Sequence, residues 1–271
     1  MSVVRARSIS RKVGAPRWAA RAPWRAVVAA VMCVAGAREV TAQFAPAPSA
    51  RTLRVDGTRL PRGQFVYETV LEHDLTGTSL GTRTVTMAPA PYKGIGAWLF
   101  VESKAGARIA GTDSLYVESS TLRPLHWSST IGRARLGLEF RDDSAFGGTS
   151  APAGQRSIVS AVPPGALVNA AMLDAVLRLL PIHAAWEDSA NTLSVSLGGL
   201  TTLPTRISVI GEDNVRVPAG QFDCWVVSVR AADVTRGLYW VTKTDPIVVR
   251  SALDVPGMNG AQYVSSLVAR N

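Results

Sequence analysis

Short runs of alternating apolar and polar residues recur along most of the chain after residue 60. In the clearest of them, residues 133–140, Ala, Leu, Leu and Phe alternate with Arg, Arg, Gly and Glu. A period of two is typical of a β-strand with one face on a core and the other in water. Similar runs separated by turn residues predict strands over residues 64–75, 82–87, 97–101, 114–118, 124–128, 155–162, 192–197, 204–210, 222–229, 237–242, 247–252 and 262–268.

One segment breaks this rhythm. Residues 165–180 are apolar except at Asn169, Asp174 and Arg178, and prolines stand just before and just after them. Proline at these two places is typical of helix boundaries, so the pattern predicts a helix over the whole segment. The three polar residues share one narrow stripe, on which Asp174 and Arg178 are spaced for an ion pair. A helix that is apolar on most sides must be covered by the rest of the protein.

The order of these elements predicts a mainly β fold. The connections are short, which favours antiparallel pairing, and a single helix excludes a βαβ repeat. We therefore predict a large curved antiparallel sheet, a half-barrel, that wraps one apolar helix. No repeat of fixed period is visible, so we expect residues 51–271 to form a single β-rich domain, with residues 43–50 as a flexible tether before it.

The positive charge of the chain is concentrated near its start. The whole chain has a formal net charge of +9, but residues 1–42 hold eight basic residues and one acid, which leaves 21 basic and 19 acidic residues in the rest. An apolar run follows at 26–36, and Val-Thr-Ala at 40–42 resembles a peptidase site. This order predicts a secretory signal peptide over residues 1–42 and a location in the periplasm or cell envelope. A mitochondrial transit peptide is the alternative, although a solid apolar block disfavours it.

Removal of this leader changes what the rest of the chain can be expected to bind. The apolar run is too short to span a bilayer as a helix, so the mature chain is not expected to be transmembrane. The remaining basic residues are interspersed with acids, and we expect no nucleic-acid partner. Cys224 is the one cysteine left, within an apolar run, which predicts a buried inert thiol rather than a reactive nucleophile.

Candidate catalytic and metal-binding motifs do not assemble into a site. Residues 77–81 match G-x-S-x-G around Ser79, but that motif needs a helix after the serine, and the strand that follows predicts a hairpin turn instead. Nothing local brings His73, His126 and His183 together. The acidic turns lack the alternating oxygen ligands of a calcium loop. We therefore predict no catalytic residue, no metal and no cofactor, and keep a hydrolase acting through Ser79 as a remote alternative.

A family resemblance appears in the second half of the chain. Residues 217–227 read V-P-A-G-Q-F-D-C-W-V-V, and residues 238–250 read L-Y-W-V-T-K-T-D-P-I-V-V-R. These stretches resemble a domain-of-unknown-function family of exported β-rich bacterial proteins, with its "P-A-G-x-F" turn and its "Y-W-V-(S/T)-x-D" strand before "(V/L)-V-R". More distantly, the arrangement resembles the periplasmic lipoprotein carriers, whose curved sheet closes on helices around an acyl-binding cavity. The carriers use more than one helix and an arginine placed for cargo release, and no residue here is assigned to that role.

Two functions remain open from the sequence. The apolar composition of the helix favours an exported envelope protein that binds an apolar or acyl-bearing molecule in a cavity between sheet and helix. The side chains expected to line such a cavity are Leu167, Met172, Leu173, Val176 and Leu180 from the helix and Trp98, Trp225 and Trp240 from the strands. The same residues are expected inside a solid core, so the alternative is a non-enzymatic structural or interaction module with an envelope protein or glycan as partner.

Overall fold

The computed structural model of the chain describes residues 53–271, apart from residues 75, 107–109, 169–170, 197–198, 233–234 and 256. The predicted signal peptide and tether lie outside the described residues. The elements in chain order are a 3-10 turn at Gly57–Arg59, β1 Gly63–His73, β2 Thr76–Pro89, β3 Ala97–Ala105, β4 Gly111–Glu118, β5 Pro124–Ile131, β6 Ala134–Arg141, β7 Ser144–Ala151, β8 Gly154–Ala161, β9 Leu167–Val168, α1 Ala171–Leu177, β10 Glu187–Ser196, β11 Gly199–Val217, β12 Gly220–Ala231, β13 Thr235–Thr242, β14 Val248–Asp254 and β15 Gln262–Arg270.

All the described strands belong to one sheet, which confirms the prediction of a mainly β fold with a large antiparallel sheet. The spatial order is β8-β7-β6-β5-β4-β3-β2-β1-β15-β14-β13-β12-β11-β10-β9. Two meanders therefore meet where the first described strand pairs with the last, and among the described pairs only the short β9–β10 pair is parallel. The sheet curves far enough to bring β8 close to β11, where Ser160 Oγ lies 3.4 Å from the carbonyl oxygen of Leu200.

The alternation in the sequence sets which face of each strand is buried. In β6, Leu138 and Phe140 are buried, as predicted from residues 133–140. In β1, Phe65, Tyr67 and Thr69 are buried at every second position. These inward side chains form one core with those of the second meander, because β1 and β15 pair along most of their length.

The helix is shorter than predicted. It covers Ala171–Leu177 rather than 165–180, and Leu167–Val168 instead form β9 beside Thr192 and Leu193 of β10. A fully apolar run suits a buried strand as well as a buried helix, so pairing with β10 decides the conformation. In the described part of the chain, no helix combines the length and apolar composition that crossing a membrane requires.

The predicted pair of Asp174 with Arg178 does not form. Asp174 instead accepts a hydrogen bond from Arg83 Nη2 at 2.6 Å, and Arg178 Nε donates to the carbonyl oxygen of Pro246 at 3.0 Å. A partner from β2 thus replaces the local one. Asn169, the third polar residue of the predicted stripe, lies outside the described residues.

Two further expectations need correction in the first meander. Strand β7 was not predicted, because its sequence Ser-Ala-Phe-Gly-Gly-Thr-Ser-Ala lacks an apolar alternation. A Cβ at Gly147 would lie 1.9 Å from the carbonyl oxygen of Gly137, so glycine permits the close approach of β7 to β6.

The G-x-S-x-G segment forms part of β2 rather than a turn, and Ser79 pairs with Val70 of β1. The chain reverses earlier, at Asp74, whose φ is 49°.

Candidate functional site

The predicted cavity residues around α1 are all buried in the core. Met172 and Val176 are 0% exposed and Leu173 is 2% exposed, so α1 has no free apolar face on the side these residues occupy. Leu167 in β9 and Leu180 just after α1 are also buried. The structure therefore places these five side chains in one core.

The three predicted tryptophans are not brought together. Trp98 is buried and donates from Nε1 to the carbonyl oxygen of Gly57 at 3.0 Å. Trp225 lies opposite Val241 in the ladder between β12 and β13, whereas Trp240 lies opposite Val226. Neighbouring residues of a strand point to opposite faces, so Trp225 and Trp240 are on opposite faces of the sheet. They cannot both line one cavity on the same face.

A narrow crevice remains between α1 and the sheet. Its walls are Phe65, Tyr67, Val85, Met87, Asp174, Arg178, Ile247 and Val248. The volume is about 10 Å³, which is room for about one water molecule. The crevice therefore combines apolar walls from β1, β2 and the start of β14 with two charged side chains from the helical segment.

Arg178 stands at this crevice with part of its guanidinium unpaired. Its Cζ lies 4.5 Å from the centroid of the Phe65 ring, and its Nε is held by Pro246. Its Nη1 atom is buried and has no hydrogen-bond partner among the described residues. Burial lowers the pKa of Arg178, because no carboxylate of the described residues lies within 4.0 Å to compensate for lost hydration.

Beside the crevice, five buried or half-buried ionisable side chains from β2, β3, β4 and α1 form what we call the ion cluster. Arg83 donates from Nε to Glu102 Oε2 at 2.9 Å and from Nη2 to Asp174 Oδ2 at 2.6 Å. Lys104 Nζ lies 2.8 Å from Glu102 Oε1 and 3.4 Å from Asp113 Oδ2. The cluster therefore connects α1 to the inner face of the sheet by charge-assisted hydrogen bonds.

The charges of the cluster depend on one another. Burial alone would raise the pKa of Glu102, but the Arg83 and Lys104 cations lower it to about 2. Burial raises the pKa of Asp174, which Arg83 only partly offsets. Burial alone would lower the pKa of Arg83, but its two carboxylate partners raise it above the ordinary value. Loss of Arg83 would leave the buried Asp174 carboxylate without a cation within 4.0 Å among the described residues.

Sequence reasoning missed the ion cluster, although a signal for it exists. Arg83 shares the inward face of β2 with Val85 and Met87, and Glu102 shares that of β3 with Phe100. A charged residue at an inward position of a strand is rare unless it is paired. The inward position identifies Arg83 and Glu102 separately as unusual residues. That they pair with each other follows only from the register of β2 against β3.

The other residues considered in the sequence lie apart from this site. Cys224 is buried, as predicted, and burial raises the pKa of its thiol to about 12. His73 contacts the carbonyl oxygen of Asn259, and His183 that of Ala184. Among the described residues, no three or more His, Cys, Asp or Glu side chains are grouped so that they could hold a metal ion.

His126 belongs to a second polar cluster, on the other face of the sheet. Glu139 accepts a hydrogen bond from Tyr92 Oη at 2.7 Å and lies 2.9 Å from Lys93 Nζ and 3.1 Å from His126 Nδ1. The Tyr92 ring stacks on His126, with 5.5 Å between ring centroids. These contacts hold the connection between β2 and β3 over β5 and β6.

Comparison with known proteins identifies the family. The chain belongs to the family described as "Protein of unknown function (DUF3108)", which matches residues 70–261. The predicted resemblance to a family of unknown function is thereby confirmed, and the match extends into the first half of the chain. No curated protein matches the chain.

Two solved structures show low similarity to this chain. A Bacteroides fragilis protein with a YmcC-like fold is 10% identical, with a TM-score of 0.33 over 81% of this chain and 100% of that protein. A DUF1329 family protein from Desulfovibrio piger is 11% identical, with a TM-score of 0.30 over 79% of this chain and 87% of that protein.

Proposed function

We propose that this chain is an exported protein of the periplasm or cell envelope that binds an apolar or acyl-bearing molecule between α1 and the sheet. The crevice carries this proposal. Its walls are mostly apolar, it runs beside a single short helix, and it ends at a guanidinium that the described residues leave partly unpaired. Ligand sites combine apolar walls with a few polar groups but enclose roughly 300–1,000 Å³, so the crevice has the composition of such a site and not its volume.

The ligand would take the place of side chains that α1 now buries. The crevice holds only about 10 Å³, so α1 must move away from the sheet for an acyl chain to enter. Met172, Leu173, Val176 and Leu177 are buried, and together they contribute about 6–12 kcal/mol at about 1.5–3 kcal/mol each. An acyl chain of roughly ten to fifteen methylenes gains a similar amount at about 0.8 kcal/mol per methylene. The free energy lost when the α1 side chains leave the sheet is therefore similar to the free energy gained when the acyl chain is buried there.

Uptake of a fluorescent fatty acid by residues 43–271 tests the proposal. We expect saturable binding that is lost in Leu173→Glu, because the new carboxylate would lie in the apolar contact between α1 and the sheet. Val159→Glu is the matched control, since Val159 is 75% exposed on β8 and its substitution should leave binding unchanged. Circular dichroism checks that both variants fold. Absence of saturable binding at high micromolar concentrations would end the proposal.

The second candidate is a non-enzymatic structural or interaction module of the cell envelope. The burial of the α1 side chains favours this second candidate. The space left beside α1 holds about one water molecule, so the core is complete without a ligand. A protein or glycan partner would then bind at β8, the strand at one end of the sheet, where Val159 and the neighbouring Phe146 expose apolar surface. Val159→Glu tests this candidate. If a partner binds at β8, the substitution should weaken association of the protein with isolated cell envelopes. Fatty-acid uptake should stay unchanged, because α1 lies elsewhere in the fold.

A further inference from the structure

The unpaired part of Arg178 indicates what kind of ligand the crevice would accept. A guanidinium has five N–H donors and no acceptor, so each buried nitrogen needs an acceptor nearby. Pro246 satisfies Nε at 3.0 Å, whereas Nη1 is buried with no acceptor among the described residues. A buried charged donor without an acceptor is costly, and a bound oxyanion would remove that cost.

The carboxylates near Arg178 are already committed to other cations. Asp174, which shares the crevice, is 2.6 Å from Arg83 Nη2. Asp245 Oδ2 is 2.7 Å from Arg270 Nη1. The Arg83 cation beside Asp174 offsets the repulsion that this carboxylate would exert on an incoming anion. The described residues therefore leave the charge of Arg178 without a direct ion pair.

The position of the guanidinium is fixed before any ligand binds. The Phe65 ring covers one face of it at 4.5 Å, and the bond from Nε to Pro246 sets its rotation. The crevice beside it has room for one atom the size of a water oxygen, which is also the size of one carboxylate or phosphate oxygen.

We propose that Arg178 Nη1 donates a hydrogen bond to the oxyanion head, a carboxylate or a phosphate, of an amphipathic ligand whose apolar tail lies between α1 and the sheet. This inference rests on the proposed function, because the tail occupies the same space. It adds the chemical class of the ligand: an acyl chain with an anionic end, rather than a neutral hydrocarbon or a neutral glyceride.

The test compares two ligands that have the same apolar chain, one with an anionic head group and one with a neutral head group. Equilibrium binding of palmitic acid and of hexadecanol, which has the same chain length and no charge, is measured for residues 43–271 and for Arg178→Met. We expect the wild-type protein to prefer the acid by about 10- to 100-fold, the effect of one hydrogen bond between charged groups. In Arg178→Met the acid should fall to the affinity of the alcohol, and the alcohol should be unaffected.

Controls separate loss of charge from loss of fold. Arg178→Lys keeps the cation without the forked donor and should retain a reduced preference for the acid. Arg206→Met removes an exposed arginine elsewhere on the sheet and should change neither affinity. If Arg178→Met does not fold, the wild-type preference and Arg178→Lys still decide the question.

The outcomes distinguish this inference from the proposed function. Equal binding of acid and alcohol by the wild-type protein, or an equal loss of both in Arg178→Met, overturns the inference and leaves the proposed function standing. Binding of neither compound overturns the proposed function. Inorganic phosphate supplies the anion without the tail: if it binds in an Arg178-dependent way while palmitic acid does not, Arg178 is a site for free anions and the amphipathic ligand is wrong.

Discussion

Arg83→Met is the substitution that most directly probes how α1 is attached to the sheet. The change removes both hydrogen bonds that the guanidinium donates, at 2.9 Å to Glu102 and at 2.6 Å to Asp174. Glu102 keeps Lys104 as a partner, but no other described cation lies within 4.0 Å of Asp174. Removing one partner of a buried ion pair typically costs about 3–5 kcal/mol, because the other charge stays buried and unpaired.

Urea denaturation of residues 43–271, followed by tryptophan fluorescence, measures this cost. Arg206→Met is the control, since its ion pair with Glu187 is largely exposed and its loss should change the free energy of unfolding little. Adding Asp174→Leu to Arg83→Met should recover part of the loss, because it removes the orphaned carboxylate. A loss below about 1 kcal/mol in Arg83→Met, or no recovery in the double variant, would refute the reasoning.

Three other features give sharp expectations. The pKa of Glu102 is lowered from 4.5 to about 2, so its contribution to stability is present above pH 4.5 and is lost as the pH falls toward 2; acid unfolding should show a loss of about 3 kcal/mol over this interval that Glu102→Gln removes, and identical profiles for both proteins would contradict it. The buried thiol of Cys224, whose pKa is raised to about 12, should react with a thiol reagent only in denaturant, and prompt labelling of the folded protein would disprove this. Gly81 has a φ of 109°, and a Cβ there would lie 2.1 Å from the carbonyl oxygen of Ala105, so Gly81→Ala should lower the urea midpoint. Ser79→Ala, two residues away in β2, is the control. It should change the free energy of unfolding by no more than about 0.5 kcal/mol and should not change any ester turnover.

The sequence predicts the strands best where packing and pattern agree. Residues 133–140 alternate strictly, and β6 follows that alternation because one face is on the core and the other is in water. Strand β7 has no such pattern and is defined by its neighbours, since Gly147 lets it approach β6 closely and Gly148 lets it approach β8. Prediction therefore fails where pairing across the sheet, rather than side-chain burial, determines the conformation.

Residues 165–180 show the opposite difficulty. Their apolar composition correctly predicts burial, but burial alone does not distinguish a strand from a helix. The two residues of β9 adopt the strand because β10 lies beside them, and the described helix covers Ala171–Leu177. The spacing predicts a pair of Asp174 with Arg178, whereas in the structure Asp174 accepts a hydrogen bond from Arg83, 91 positions away.

The ion cluster could be predicted only in part. Arg83 and Glu102 stand out because they occupy inward positions among buried apolar residues. Their pairing depends on the register between β2 and β3, which places Arg83 opposite Lys104 and Val85 opposite Glu102. A register of this kind follows from the whole sheet, so no local pattern in the sequence contains it.

The most direct test of the account is whether an acyl chain occupies the space between α1 and the sheet. Methyl-labelled protein and carbon-13-labelled palmitate allow contacts between the two to be measured by nuclear Overhauser effects. The account predicts contacts from the acyl chain to the methyl groups of Met172, Leu173 and Val176. Contacts confined to exposed side chains such as Val159, or no contacts at saturating palmitate, would contradict it.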